Sequence, residues 1–188
     1  ATTMDDGSIK LIYGPMFSKK TTELINGIRR DKEKYGYHNV LAVKHSIDTR
    51  YDAEKIVSHD DSSEKAIAVP NLLIVRGIIN YYSNIRVIYI DEGQFFTDLY
   101  EFCINMRDSG KHVIVAGLDK NYLREDFAPI AQIKEIANIL VHQYSVCTDC
   151  NKKAQYTFRT QDLKNEIVVG GSGIYIPVCS KCFKNRTK

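Results

Sequence analysis

GPMFSKKTTEL, residues 14–24, follows directly on the apolar run IKLIY of residues 9–13 and almost spells a phosphate-binding loop, GxxxxGK[ST]. The pattern makes a physical demand. A strand must feed a short loop whose backbone N–H groups, with the first turn of the next helix, face the phosphates of a nucleotide. Gly14, Pro15, Met16, Phe17, Ser18, Lys19, Lys20 and Thr21 would line that cradle, with Lys20 reaching the β/γ oxygens and the Thr21 hydroxyl ligating Mg²⁺. Lys19 stands where the motif has its second glycine. If that position needs a positive φ, a lysine costs roughly 1–2 kcal/mol of strain, and its side chain must turn out to solvent.

A degenerate loop arises by chance often enough that a second element has to decide. VIYIDE, residues 87–92, is an apolar strand ending in two carboxylates. In a Walker B element of that form, Asp91 would hold the magnesium and Glu92 would stand free beside it. A strand that merely ends in a polar turn leaves the pairing with the loop unexplained.

The rest of the chain reads as an α/β protein. Strands are expected at residues 9–13, 40–44, 87–90 and 113–118, all rich in β-branched residues and apolar enough to be buried on both faces of a parallel sheet. Helices are expected from Lys20 to about Tyr35, from an N-cap at Thr97 to a stop at Gly110, and from near Pro129 with Ile130, Ile133, Ile136 and Leu140 facing the core. Residues 70–82 fit either a strand or a helix, and the polar residues 46–64 read as a mobile loop. After about Val141 the texture changes to short alternating runs at 154–160, 166–169 and 174–178. The expected division is an ATP-binding α/β domain, 1–141, and a small domain, 142–188.

Four of the five cysteines form two CxxC pairs, Cys147 with Cys150 and Cys179 with Cys182. Paired knuckles of this kind bring four thiolates to one structural Zn²⁺, and the other reading is two disulfides. Residues 1–8 are polar and acidic without the pattern of a secretory signal, and no apolar run approaches membrane-spanning length, so a cytosolic chain without a membrane partner is expected. A net charge of +3 from interspersed residues gives little footing for nucleic acid.

GPMFSKKTTEL, Asp48-Thr49-Arg50, IDEGQFF (residues 90–96), AGLD (residues 116–119), the CxxC pairs and Gly170-Gly171 ahead of Val178-Cys179 occur in the order seen in type II thymidine kinases. The whole chain from about Ser8 to Phe183 resembles that family. The resemblance implies a RecA-like phosphate-loop domain with a parallel sheet, a zinc-binding β/lasso domain that closes over the nucleoside, and usually a homotetramer. It implies transfer of phosphate from ATP, with Mg²⁺, to the 5′-hydroxyl of thymidine or deoxyuridine, and dTTP as feedback inhibitor. Glu92 would be the general base. Asp48, Thr49, Arg50 and Gln94 would join the phosphate loop and Asp91 on the nucleotide side. Met16, Phe95, Leu118, Tyr122 and Phe127 would surround the thymine ring. The lasso, residues 155–175, would add Thr157, Tyr175 and main-chain groups of Glu166, Ile167, Val168, Val169 and Gly170.

Two residues depart from the family pattern: Tyr122 replaces a phenylalanine, and Lys19 replaces the loop glycine. The second leaves open a nucleotide-binding pseudokinase impaired at Lys19, and the phosphate loop with the cysteine pairs leaves open a zinc-ribbon nucleic-acid-binding ATPase.

Overall fold

Ile9 and Leu11 face one side of their strand and Ile12 the other, and the same alternation recurs in each central strand. The computed structural model describes residues 6–47, 54–58, 62–82, 84–160 and 174–187. In chain order its strands are β1 (Ser8–Tyr13), β2 (Val40–His45), β3 (Lys55–Val57), β4 (Ser63–Lys65), β5 (Ile67–Val69), β6 (Val87–Ile90), β7 (His112–Gly117), β8 (Ile139–His142), β9 (Ser145–Val146), β10 (Lys153–Ala154), β11 (Tyr156–Arg159) and β12 (Tyr175–Val178). The helices are α1 (Lys20–Tyr35), α2 (Leu72–Tyr81), α3 (Leu99–Asp108), α4 (Ala128–Ile136) and α5 (Ser180–Arg186). No helix among the described residues is long and apolar enough to cross a membrane.

Six strands form one sheet in the order β5-β2-β6-β7-β1-β8, every neighbouring pair parallel. Leu24, Ile25 and Ile28 of α1 pack on the face made by Ile12, Ala42, Val87, Tyr89, Ile114 and Ala116. The opposite face, built from Ile9, Leu11, Val43, Ile88, Ile90, Val113 and Val115, is covered by α2, α3 and α4. Burying each such aliphatic side chain contributes about 1.5–3 kcal/mol, and this two-sided burial is what the continuous apolar strands encode. Because β7 lies between β1 and β6, the phosphate loop and the acidic strand end flank a shared neighbour at the carboxyl edge of the sheet. Cys103 is fully buried on α3, and that burial pushes its thiol up.

Local chemistry explains where the elements start and stop. Residues 70–82 resolve as a helix because Asn71 caps it, its Oδ1 accepting the Ile74 N–H at 3.2 Å. The N-cap of α3 is Asp98, not Thr97: the Asp98 carbonyl accepts the Phe102 N–H, while its carboxylate accepts the first N–H groups of α2, from Leu72 at 2.9 Å and Leu73 at 3.1 Å. One aspartate thus joins two helices. Gly110, at φ 81, turns the chain from α3 towards β7. Leu140 does not face the core from α4. That helix ends at Ile136, and Asn138 trades hydrogen bonds with Ile9 through both its side chain and its backbone N–H, starting the edge strand β8 on which Leu140 is half exposed. Within residues 46–65, β3 and β4 pair as an antiparallel ribbon with Ile56 buried, and Glu64 at the middle of β4 meets Arg29 and Lys32 of α1.

Beyond β8 the chain builds two short antiparallel pairs, β9 with β10 and β11 with β12, followed by α5. Their small core is Cys147, Ala154, Val178, Cys182 and Phe183.

Candidate active site

The carboxyl edge of β1 leaves no room for a side chain. A Cβ on Gly14 would lie 2.1 Å from the carbonyl oxygen of Gln143, and Gly14 itself sits at φ 154. The loop then passes through two left-handed residues, Phe17 at φ 64 and Lys19 at φ 65, before α1 opens at Lys20. The backbone at position 19 therefore takes the conformation that the motif's glycine would supply, and the Lys19 side chain is exposed. Lys20 folds back over the loop, its Nζ donating to the Pro15 carbonyl at 2.6 Å and to Ser18 Oγ at 3.3 Å.

Across β7, the end of β6 presents Asp91, with Thr21 Oγ1 3.4 Å from each of its carboxylate oxygens. A hydroxyl and a carboxylate at that separation, beside the first turn of a helix, are the oxygen ligands that a magnesium–nucleotide complex uses. Glu92 follows at φ 54, a left-handed conformation costly for a residue with a Cβ, and its N–H donates to Asp91 Oδ1 at 3.0 Å. Gln94 fixes the Glu92 carboxylate: its Nε2 donates to Glu92 Oε2 at 2.6 Å, while its Oε1 accepts the Leu118 N–H at 3.1 Å. Gly93 and Gly117 keep this seat tight. A Cβ on Gly117 would come within 2.9 Å of Gln94 Oε1 and 2.8 Å of Ile130 Cδ1.

The small unit reaches this edge by two hydrogen bonds. Thr157 Oγ1 accepts the Met16 N–H at 3.1 Å, and Ser145 Oγ donates to the Phe17 carbonyl at 3.0 Å. Tyr122 lies under the Arg159 guanidinium, 3.7 Å from Cζ to the ring centre, and Arg159 also hydrogen-bonds Tyr175. Burial raises the Tyr175 phenol and the Arg159 contact offsets part of that. Thus Met16, Thr157, Tyr122 and Tyr175 are linked in space, with Leu118 joined to Glu92 through Gln94 and Phe95 packed beside His45. Asp48, Thr49, Arg50, Glu166, Ile167, Val168, Val169 and Gly170 lie outside the described residues.

The four paired cysteines converge. The sulfurs of Cys147, Cys150, Cys179 and Cys182 lie within 4.8 Å of one another, and Cys150 and Cys179 are 3.7 Å apart. A tetrahedron of thiolates around Zn²⁺, with Zn–S of about 2.3 Å, has edges of about 3.8 Å, so the cluster fits that ion. Burial raises the Cys147 thiol, but backbone N–H groups of Cys179, Asp149 and Cys150 outweigh it and bring it down to about 6. Cys179 is lowered too, first by the backbone N–H of Cys182, whereas Cys182 is pushed up by its hydrogen bond with Cys179. Cysteine binds a divalent cation as the thiolate, so metal binding at such a cluster releases protons.

Known proteins carry related sequences. The family model described as thymidine kinase matches residues 7–183. The chain belongs to the thymidine kinase family. Among relatives, it is 38% identical over 182 residues to the thymidine kinase of raccoon poxvirus, covering 97% of this chain and 99% of that one. It is 39% identical to the cytosolic thymidine kinase of Bos taurus, covering 94% of this chain and 72% of the relative. It is 40% identical to thymidine kinase a of Arabidopsis thaliana, covering 93% and 74%. In this thymidine kinase family member, sequence reasoning overlooked Arg159, Arg124 and Ser145. Arg159 was accessible to it, because residues two apart on a strand share a face and Thr157 had already been singled out. Arg124 and Ser145 had no such signal, since their partners are distant in the chain.

Proposed function

We propose that this chain transfers the γ-phosphoryl group of ATP to the 5′-hydroxyl of thymidine, or of deoxyuridine, giving dTMP from thymidine. The observation that carries the reading is the acidic strand end: Asp91 faces Thr21 of the phosphate loop, and Glu92, next in the chain, has its carboxylate oriented by Gln94. Glu92 accepts the proton of the 5′-hydroxyl as that oxygen attacks phosphorus, and ADP departs with the bridging electrons. The loop N–H groups and Lys20 bind the phosphates, with Lys20 exchanging the Pro15 carbonyl for phosphate oxygens. Thr21 and Asp91 hold Mg²⁺, which neutralises phosphate charge when bound with the nucleotide.

Met16, Phe95, Leu118, Tyr122 and Phe127 enclose the base, with Thr157, Tyr175 and the lasso backbone of Glu166, Ile167, Val168, Val169 and Gly170 closing over it. Asp48, Thr49 and Arg50 join from the nucleotide-side loop. A buried hydrogen-bonding slot of this kind rejects a wrong base, because polar groups would be left unpaired. The chain divides near residues 141–142, and the second unit is held by a structural Zn²⁺ on Cys147, Cys150, Cys179 and Cys182. The working assembly is a homotetramer in the cytoplasm, inhibited by dTTP.

The test is phosphoryl transfer from labelled ATP to a panel of nucleosides, with and without a zinc chelator. Labelled dTMP supports the reading, and absence of any labelled nucleotide at saturating thymidine overturns it. A second reading, a binding protein impaired in catalysis, rests on the lysine that stands where the motif has glycine. Tight ATP binding without thymidine-dependent ADP release would select that alternative.

A further inference from the structure

The loop of residues 119–127 carries Tyr122 and Phe127 and hangs from the carboxyl end of β7. Inside it, the Asn121 side chain accepts the N–H groups of Leu123 and Glu125, the Asn121 N–H donates to the Glu125 carbonyl, and Lys120 pairs with Asp126 at 2.6 Å. These bonds give the loop a shape. Its two ends are tied to the α/β core by Asp119, which pairs with Lys134 of α4 at 3.3 Å, and by Phe127, which packs against the sheet.

Two arginines join it to the cysteine-bearing unit, and they point in opposite directions. Arg124, on the loop, lies over the rings of the cysteine-bearing unit, with Cζ 4.7 Å from the Phe183 centre and 5.3 Å from that of Tyr156. Arg159, on the cysteine-bearing unit, lies over the loop's own Tyr122 at 3.7 Å. The backbone reinforces the first contact. Arg124 sits at φ 64, a left-handed conformation at the tip of the turn that presents its side chain to Phe183. Phe183 is itself buried, with Tyr156 and Phe158 packed at its edges and Cys182 next to it in α5.

We propose that Arg124 is a positioning residue for the nucleoside: with Arg159 it forms a reciprocal latch that holds the Tyr122 loop against the Phe183 face of the cysteine-bearing unit. The latch rests on the functional reading above for its substrate. Each half is a planar cation on an aromatic face, an attraction that strengthens as water is excluded. Separating the two surfaces breaks both halves together. Arg124 reaches the base site only through what it holds, and its loss therefore acts on nucleoside capture rather than on the transfer step.

The experiment measures Arg124→Ala, Arg124→Lys, Phe183→Leu and the double variant Arg124→Ala/Phe183→Leu. Arg124→Ala raises the KM for thymidine about 5- to 20-fold, with kcat and the KM for ATP within about 2-fold of the parent, and Arg124→Lys recovers part of the loss. Arg124→Ala has a smaller effect in the Phe183→Leu background than in the parent, the mark of two groups that act through each other. Equal effects in the two backgrounds, or a kcat loss without a KM change, overturn the latch. Hydrogen exchange of residues 119–127 gives a readout independent of turnover: Arg124→Ala speeds it, and unchanged exchange also overturns the proposal. If the parent chain phosphorylates no nucleoside, the functional reading fails alone, and the exchange measurement still decides the latch.

Discussion

Gln94 donates its amide hydrogen to Glu92 at 2.6 Å because Leu118 holds the other end of the same amide at 3.1 Å. A side-chain amide has one donor end and one acceptor end, so a fixed N–H on its oxygen directs its nitrogen. The carboxylate at the strand end is thereby aimed by a residue two positions along the chain and by a second strand.

Replacing Gln94 with Leu removes that aim. Loss of a buried hydrogen bond to a charged group costs about 1–3 kcal/mol, so kcat is expected to fall about 5- to 100-fold. Glu92→Gln removes the base itself and is expected to lower kcat about 10²- to 10⁴-fold, with thymidine still bound in an equilibrium titration. Full activity in Glu92→Gln would show that another group takes the proton.

Lys19→Gly relieves a left-handed residue at the entrance to α1. Glycine's added freedom in the unfolded chain offsets part of the gain, leaving about 0.5–1 kcal/mol and a melting temperature higher by about 1–4 °C. ATP affinity should hold or rise. A variant that melts lower than the parent would mean that the lysine side chain contributes contacts that outweigh its backbone cost.

Stripping an ion from the cysteine cluster should act locally. A strong chelator, or Cys147→Ser, is expected to abolish hydrogen-exchange protection in residues 145–160 and 174–187 while the six-stranded sheet keeps its own, because those residues have only a small core besides the cysteine cluster. Unchanged protection would show that this core folds without an ion.

Two histidines set an acid limit. His45 is lowered from 6.5 by burial, against a hydrogen bond to Pro70 and the charge of Asp98. His142 is lowered from 6.5 by burial, with Asp119 opposing and Lys134 and Lys153 adding to the effect. A depressed histidine binds its proton more weakly in the folded state, so the contribution is present above about pH 6.5 and is lost as pH falls below it towards the folded values. The urea midpoint should drop between pH 7.5 and 5.5, and His142→Phe, which keeps a ring between Tyr13 and Tyr144, should flatten part of that slope. Equal slopes in parent and variant would remove His142 from the account.

Much of the fold was legible because burial wrote it plainly. Helix α1 begins and ends where the loop motif and its apolar spacing place it, and all four residues of β6 are buried as its continuous run demanded. The edges were not legible in this way. Leu140 has the spacing of a helix yet belongs to a strand, because Asn138 captures the backbone of Ile9, a contact between residues 129 positions apart. Thr97 has the chemistry of a cap, but Asp98 serves two helices at once and takes the position. At the candidate site, the phosphate loop and the acidic strand end were readable as motifs, and the cysteines as spacing. The Arg124 stack was not, since a cation and a ring far apart in the chain leave no pattern until the fold brings them together.

The turn at Gly110 lies at the end of the sheet away from every residue discussed as functional, where β7 begins. Ser109 beside it is exposed. The residues that carry the chemistry are therefore gathered at one end of the sheet, and a fusion at the other end is set apart from them. A reporter domain grafted between Ser109 and Gly110 should leave phosphorylation intact, which makes this bend a natural handle for tethering the protein to a surface.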